Sequence, residues 1–207
     1  MAKSKLEKYT TPAGIAVYPW LTRPDTQFNP DGEYKTKLRL MGEDAEKLKD
    51  LIDAAMEESV AAAKKANKGK KIKIADAPYS EVVDDAGDPT DELEFSFKQK
   101  SIVRPKDGEP FDVKIYLFDA KGQRIQLKGY VGGGSTIKVA FNIIPFYTKL
   151  IGAGVSLRLR AVQILDLVTG DVNGEAFGFD EEEGFEGAPI EEVGDGAGAK
   201  DPEDADF

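Results

Sequence analysis

The chain has neither cysteine nor histidine among its 207 residues. Without cysteine there can be no disulfide and no thiolate metal site, and without histidine the commonest general base and metal ligand is gone. Any catalysis would rest on carboxylates, Lys, Ser or Tyr, and no cofactor is expected. Long apolar runs are missing too: none approaches the roughly 20 residues that cross a bilayer. The opening MAKSKLEKYTT also lacks the apolar stretch of a secretion signal. These absences point to a cytoplasmic protein without membrane contact, and 41% hydrophobic residues suffice for one substantial core.

What is present is an uneven charge. The net charge is -10, yet residues 174–207 hold 13 acidic and 1 basic residue, leaving 25 acidic and 27 basic in residues 1–173. The whole acidic excess therefore sits in a tail rich in Gly, Asp, Glu and Ala. Its few apolar residues, Phe177, Phe179, Phe185 and Ile190, follow no strand or helix period. Such a segment cannot bury enough surface to offset its ordering entropy, so the expectation is a folded domain over 1–173 and a disordered acidic tail over 174–207.

Within the domain, alternation of apolar and polar residues predicts strands over Tyr34–Leu40, Val113–Phe118, Ile137–Ile143 and Val155–Ala161. Weaker alternation marks Gly14–Trp20, Leu93–Lys98 and Gln123–Leu127. One stretch breaks the rhythm: from Glu43 to Lys65, Ala45, Leu48, Leu51, Ile52, Ala55, Ser59 and Ala62 recur at spacings of three and four. That is one amphipathic helix, with acids in its first turn and Lys64 and Lys65 at its end, as the helix dipole favours. A basic loop, Lys68–Lys73, and an exposed turn, Asp84–Asp91, follow. Many short strands and one helix predict a mainly β, mostly antiparallel small barrel; an OB-fold satisfies this, as do other barrels.

The outward positions of the predicted strands carry cations: Lys35, Lys37 and Arg39, then Lys114, Lys138, and Arg158 with Arg160. Set on several strands, they suit a groove that follows a phosphate backbone, although exposed strand faces commonly carry Lys and Arg for solubility. Aromatic residues interleave with them. Tyr116 and Phe118 share the face of Lys114, Tyr18 and Trp20 stand near Arg23, and Phe146 and Tyr147 stand near Lys149. Rings beside cations suit base stacking, while a ring such as Phe118 equally suits packing beneath the helix.

Other motifs read as structure. Gly132–Gly134 precedes Ser135 and Thr136 without the Lys of a Walker loop, and Ser135 with Lys138 matches only the short S-x-x-K pattern of acylating enzymes. Acidic groups at Asp84 and Asp85, or Glu181–Glu183, lie in segments too open to set an octahedral cation site, which weighs against a carboxylate-based nuclease. A terminal aromatic is more informative: Asp204 and Asp206 flank the end of the chain at Phe207, an apolar anchor with charges around it for a protein partner.

In Arg23–Leu38 (RPDTQFNPDGEYKTKL), in Tyr130–Val168 (YVGGGSTIKVAFNIIPFYTKLIGAGVSLRLRAVQILDLV) and in the acidic finish on Phe207, the chain resembles the single-stranded-DNA-binding proteins of short-tailed phages, of the T-seven gene 2.5 type. The resemblance implies an OB-fold, a five-stranded Greek-key barrel, with one inserted helix. It further implies sequence-independent binding of single-stranded DNA in replication and recombination, strand annealing, and no enzymatic activity. Through the tail it implies contacts with phage or host DNA polymerase and helicase-primase and self-association as a homodimer, all in an infected bacterial cell. Stacking and phosphate roles fall on Tyr34, Lys35, Tyr147 and Lys149, and partner docking on Phe207. The full expected DNA-binding set is Trp20, Tyr34, Lys35, Lys37, Arg39, Lys114, Tyr116, Lys138, Tyr147, Lys149, Arg158 and Arg160. The charge division adds an expectation that the tail competes with DNA for the cationic face. The alternative is a protein-only interaction module kept soluble by its tail.

Overall fold

The computed structural model describes residues 6–84, 86–105 and 108–169 of the chain. The expected domain boundary at 173/174 and the partner residues Asp204, Asp206 and Phe207 lie outside the described residues.

Eleven strands and one helix are described: β1 (Tyr9–Thr10), β2 (Gly14–Asp25), β3 (Glu33–Met41), α1 (Gly42–Ala66), β4 (Tyr79–Val83), β5 (Pro89–Lys100), β6 (Ile102–Val103), β7 (Phe111–Asp112), β8 (Tyr116–Phe118), β9 (Arg124–Ile125), β10 (Thr136–Thr148) and β11 (Gly152–Asp166). The main sheet runs β1-β10-β2-β3-β5-β11-β8-β9, with β4 added to β5 and a further pairing of β10 with β11. Pairings thus pass from β10 through β2, β3, β5 and β11 back to β10, all antiparallel except β5 with β11. The fold is mainly β with one helix, in an OB-fold-like strand arrangement.

Alternation places Leu38, Phe95, Phe97, Ile137, Val139, Phe141, Leu157 and Leu159 in the core, each at most 1% exposed. The rings of Phe97 and Phe141 meet edge-on at 5.1 Å. Helix α1 closes one side with Ala45, Leu48 and Ile52 buried. The expected helix face is turned slightly at its end: Val60 and Ala63 are buried and Ala62 is exposed. Asn67 caps that end, its backbone N–H and Nδ2 both donating to the Ala63 carbonyl at 3.0 and 2.9 Å.

Strand boundaries moved where pairing, not alternation, decides. Val113 and Ile115 are buried as the alternation predicts, but the strand there begins only at Tyr116. The weak segment Gln123–Leu127 shrinks to β9, while Gly14–Trp20 and Leu93–Lys98 grow into two 12-residue strands. The basic stretch after α1 packs on the β10–β11 hairpin: Ala153 N–H donates to the Lys73 carbonyl at 2.9 Å, and Ala75 N–H donates to that of Ala153 at 2.9 Å. Gly152 makes this approach possible, since with φ +114° a Cβ there would lie 2.6 Å from the Lys73 oxygen.

Candidate nucleic-acid interface

The outer face of β2, β3 and β5 carries a groove of about 370 Å³. Trp20, Lys35 and Lys98 stand side by side across it, because Trp20 pairs with Lys35 and Lys35 with Lys98. Lys98 in turn registers with Arg158 on β11. One row across four strands therefore presents a ring and three cations. Tyr18, Asp25, Gln27, Lys37 and Ser96 also line the groove.

Two aromatic residues frame it. Between Val17 and Trp20 the register of β2 against β3 slips by a residue, and Tyr18 in that bulge holds φ +47° with 77% of its surface exposed. A non-glycine residue in the left-handed region costs of order 1 kcal/mol, and the fold recovers nothing from an exposed ring. Phe28, in the β2–β3 connection, is 82% exposed and lies 5.9 Å from the Lys35 ammonium, while Arg23 stacks over Trp20 at 5.6 Å. The connection itself is held in place: Arg104 pairs with Asp31, Ser101 Oγ donates to the Asp31 and Gly32 carbonyls, and the Arg104 guanidinium holds the Asp31 carboxyl below its ordinary value.

The cations of β3 are already compensated. Lys35 pairs with the buried Asp25 at 2.5 Å, and that hydrogen bond together with the Gln27 N–H lowers the Asp25 pKa. Glu94 of β5 accepts from Lys37 at 2.8 Å and Arg39 at 2.7 Å, with Glu92 3.5 Å from Arg39. Burial pushes the Glu94 carboxyl up, but the two cations outweigh it and hold it below its usual value. A phosphate entering here must compete with these carboxylates, whereas among the described residues Lys98 has no carboxylate partner.

Other expected residues lie apart from the groove. Lys114 and Tyr116 sit on the far side of β11, where Arg124 stacks over the Tyr116 ring at 4.2 Å. Lys138 lies on β10 opposite Gln163. Tyr147 and Lys149 are exposed at the β10–β11 hairpin end. Two residues are corrected outright. Tyr34 belongs to the core at 5% exposure, so its ring has no free face for a base. Arg160 was expected to share the outward face of Arg158, but Ala140 pairs with Ala161 and Phe141 with Leu159, so Arg160 is the extra residue of a β-bulge and is buried at 9% exposure. The bulge reverses the alternation: Ala161 turns outward, and Val162 and Ile164 turn inward. Sequence reading also missed Lys98 and Phe28 as site residues. Lys98 follows the inward Phe95 and Phe97 by alternation, but Phe28 in a connection carries no periodic signal.

Two of the other motifs are tied into local hydrogen bonds, and Glu181–Glu183 lies outside the described residues. Ser135 is buried, donates to the Gly132 carbonyl at 2.8 Å and accepts from the Val168 N–H at 3.0 Å, which makes Gly132–Ser135 a turn. Asp84 Oδ1 is taken up by the Ala86 and Asp88 amides. Among the described residues no group of three acidic side chains could hold a metal ion, and no helix is long and apolar enough to cross a membrane.

A family model described as "Single-stranded DNA-binding protein, Bacteriophage T7" matches residues 13–167. The chain belongs to this family. It is 32% identical to the single-stranded DNA-binding protein of Enterobacteria phage T3, over 84% of this chain and 82% of that protein. Against the protein of the same name from Escherichia phage T7 it is 27% identical, over 78% and 76% of the two chains. The crystal structure of gp2.5, the bacteriophage T7 single-stranded DNA binding protein, superposes with a TM-score of 0.67 at 25% identity, covering 88% of this chain and all of that one. The bacteriophage Enc34 single-stranded DNA-binding protein in complex with ssDNA shares the fold at a TM-score of 0.53 and 14% identity, over 77% and 86% of the chains. Family membership sets the protein among nucleic-acid-binding proteins rather than enzymes and displaces the protein-only alternative.

Proposed function

We propose that this protein binds single-stranded DNA without sequence preference during phage replication and recombination, and that the groove across β2, β3 and β5 is where the strand lies. The observation that carries this is the row Trp20, Lys35, Lys98 and Arg158, flanked by the exposed rings of Tyr18 and Phe28. Every base has a stackable face, so rings give affinity without reading sequence, and cations follow the backbone. The cycle of pairings through β10, β2, β3, β5 and β11 supports a closed five-stranded OB barrel as the platform.

Lys37 and Arg39 contribute once phosphate displaces Glu94. Lys114, Tyr116, Lys138, Tyr147 and Lys149 do not line this groove and are secondary candidates. The acidic tail ending at Asp204, Asp206 and Phe207 contacts replication proteins such as polymerase and helicase-primase, by charge and one aromatic anchor. Strand annealing, self-association as a homodimer and a place of action in the host cytoplasm complete the proposal.

Titration of Trp20 fluorescence with oligonucleotides of different sequence tests the central claim. Quenching with similar affinities for all sequences, weakening with salt at a log-log slope of about -0.7 per phosphate neutralised, is the expected result. Absence of quenching with Trp20 half-exposed, or a flat salt response, refutes it.

A further inference from the structure

The outer wall of β8, β9, β10 and β11 carries a second surface of rings and cations. Lys138 registers with Gln163, Gln163 with Phe118 and Phe118 with Arg124, so one row again crosses four strands. The neighbouring row is Thr10, Ala140, Ala161 and Tyr116. Three small residues give it a shallow floor, and the bulge at Arg160 is what turns Ala161 to this side. Tyr116 and Phe118 stand half-buried at the end of that floor, and neither belongs to the apolar cluster beneath α1. The exposed Arg124 lies over the Tyr116 ring at 4.2 Å, a planar cation already stacked on one face. The turn beneath it is fixed. Asp119 Oδ1 accepts from the Lys121 and Gln123 amides at 2.9 and 2.8 Å, and Gln163 Nε2 donates to the Asp119 and Ala120 carbonyls at 3.2 and 3.3 Å. Among the described residues neither Lys138 nor Arg124 pairs with a carboxylate, in contrast to the three cations of β3.

We propose that this wall is a base-stacking subsite that holds the same single strand after it leaves the groove, with one base on the Arg124 guanidinium and a phosphate beside Lys138. The subsite rests on the strand lying in the groove across β2, β3 and β5. Continuity supplies the path. The groove row Trp20, Lys35, Lys98 and Arg158 spans about 14 Å at the usual strand spacing and ends on β11. The next outward residue of β11 is Ala161, three residues or about 10 Å beyond Arg158, and it lies beside Tyr116. A strand crossing the groove therefore runs onto the alanine floor without leaving the sheet. Chemistry selects the occupant. A planar guanidinium backed by a ring stacks on an unpaired base and attracts phosphate at once, and being stacked beforehand it loses little freedom on binding. Duplex DNA fits less well, because its paired bases offer no face to a plane. An acidic peptide would meet the two cations but leave the plane unused.

Oligonucleotides of two lengths, bound to the full-length protein and read by Trp20 fluorescence, test it. A tetranucleotide fills the groove row, and a strand of about 12 nucleotides, within the range for one OB-fold, also reaches the wall. Arg124→Lys keeps the charge and removes the plane, while Arg124→Ala with Tyr116→Leu removes the whole stack. Both variants should bind the tetranucleotide as the wild type does, which also shows that they fold. The longer strand should bind Arg124→Lys several-fold more weakly at an unchanged salt slope, and the double variant about 5- to 150-fold more weakly, the worth of one stacked base. Lys138→Ala should lower the salt slope by about 0.7 for the longer strand alone. Wild-type affinity of Arg124→Lys or of the double variant for the longer strand, equal weakening of Arg124→Lys at both lengths, or a loss by Arg124→Lys that is as large on duplex DNA would each overturn the subsite and leave the groove standing. Absence of Trp20 quenching in the wild type would overturn the groove reading and the subsite with it.

Discussion

Replacing Glu94 by Gln should make the protein less stable and a better DNA binder at the same time. The Glu94 side chain is 11% exposed and accepts from both Lys37 and Arg39. Removing its charge weakens two charge-assisted hydrogen bonds and leaves two neighbouring cations facing each other. Because Lys37 and Arg39 remain 43% and 35% exposed and can rehydrate, the cost falls toward the lower end of the range for such bonds, about 1–2 kcal/mol. The same change frees Lys37 for phosphate and leaves Arg39 only its Glu92 contact at 3.5 Å. Each added phosphate contact steepens the salt slope by about 0.7, so affinity at about 0.1 M salt should rise about 5-fold for one contact and about 25-fold for two, the gain vanishing toward 1 M. Urea unfolding measures the first effect, and Trp20 fluorescence titration across a salt series the second. Glu43→Gln, which removes an exposed partner of Lys47 on α1, serves as the control and should change neither. An unchanged salt slope in Glu94→Gln would mean that Lys37 and Arg39 do not meet the strand, and would refute the proposed path.

Three further outcomes follow from the geometry. Tyr18→Gly relieves the left-handed backbone at φ +47°, so stability should hold or rise in thermal unfolding while oligonucleotide affinity falls by about 1–3 kcal/mol, the worth of one stacked base; equal affinity would remove Tyr18 from the interface. The depressed Glu94 carboxyl contributes stability that is complete above its unfolded value of about 4.5 and is lost as pH falls through the lower folded value. Denaturant midpoints of the wild type should therefore drop on acidification below about pH 4.5 more steeply than those of Glu94→Gln, and parallel curves would contradict the pairing. Gly152→Ala places a methyl 2.6 Å from the Lys73 carbonyl at φ +114°, and should cost at least about 1–3 kcal/mol in urea unfolding; a neutral result would mean the hairpin is not clamped to the basic loop.

Local chemistry made much of this protein legible beforehand. The three-and-four spacing from Ala45 to Ser59 specified α1, alternation specified the inward rows of β3, β10 and the first half of β11, and the partition of charge at residue 174 required no structure. Periodicity is written into consecutive residues, and a charge count is independent of conformation. Residues quoted from Arg23–Leu38 and Tyr130–Val168 likewise carried the family resemblance that the comparisons bear out.

What those patterns could not contain is anything that depends on which strand lies beside which. Arg39 meets Glu94 across 55 residues of chain, turning a predicted free cation into a compensated one. A single extra residue in β11 buries Arg160 and reverses every side chain after it. Tyr18, Phe28 and Lys98, from a bulge, a connection and a neighbouring strand, become one groove only through the register of β2, β3 and β5. The amino-acid sequence by itself determined the elements and the sign of charge each end of the chain carries; only the tertiary structure decided which of those charges remain available to a ligand, because compensation and exposure arise from long-range pairing that no local period encodes.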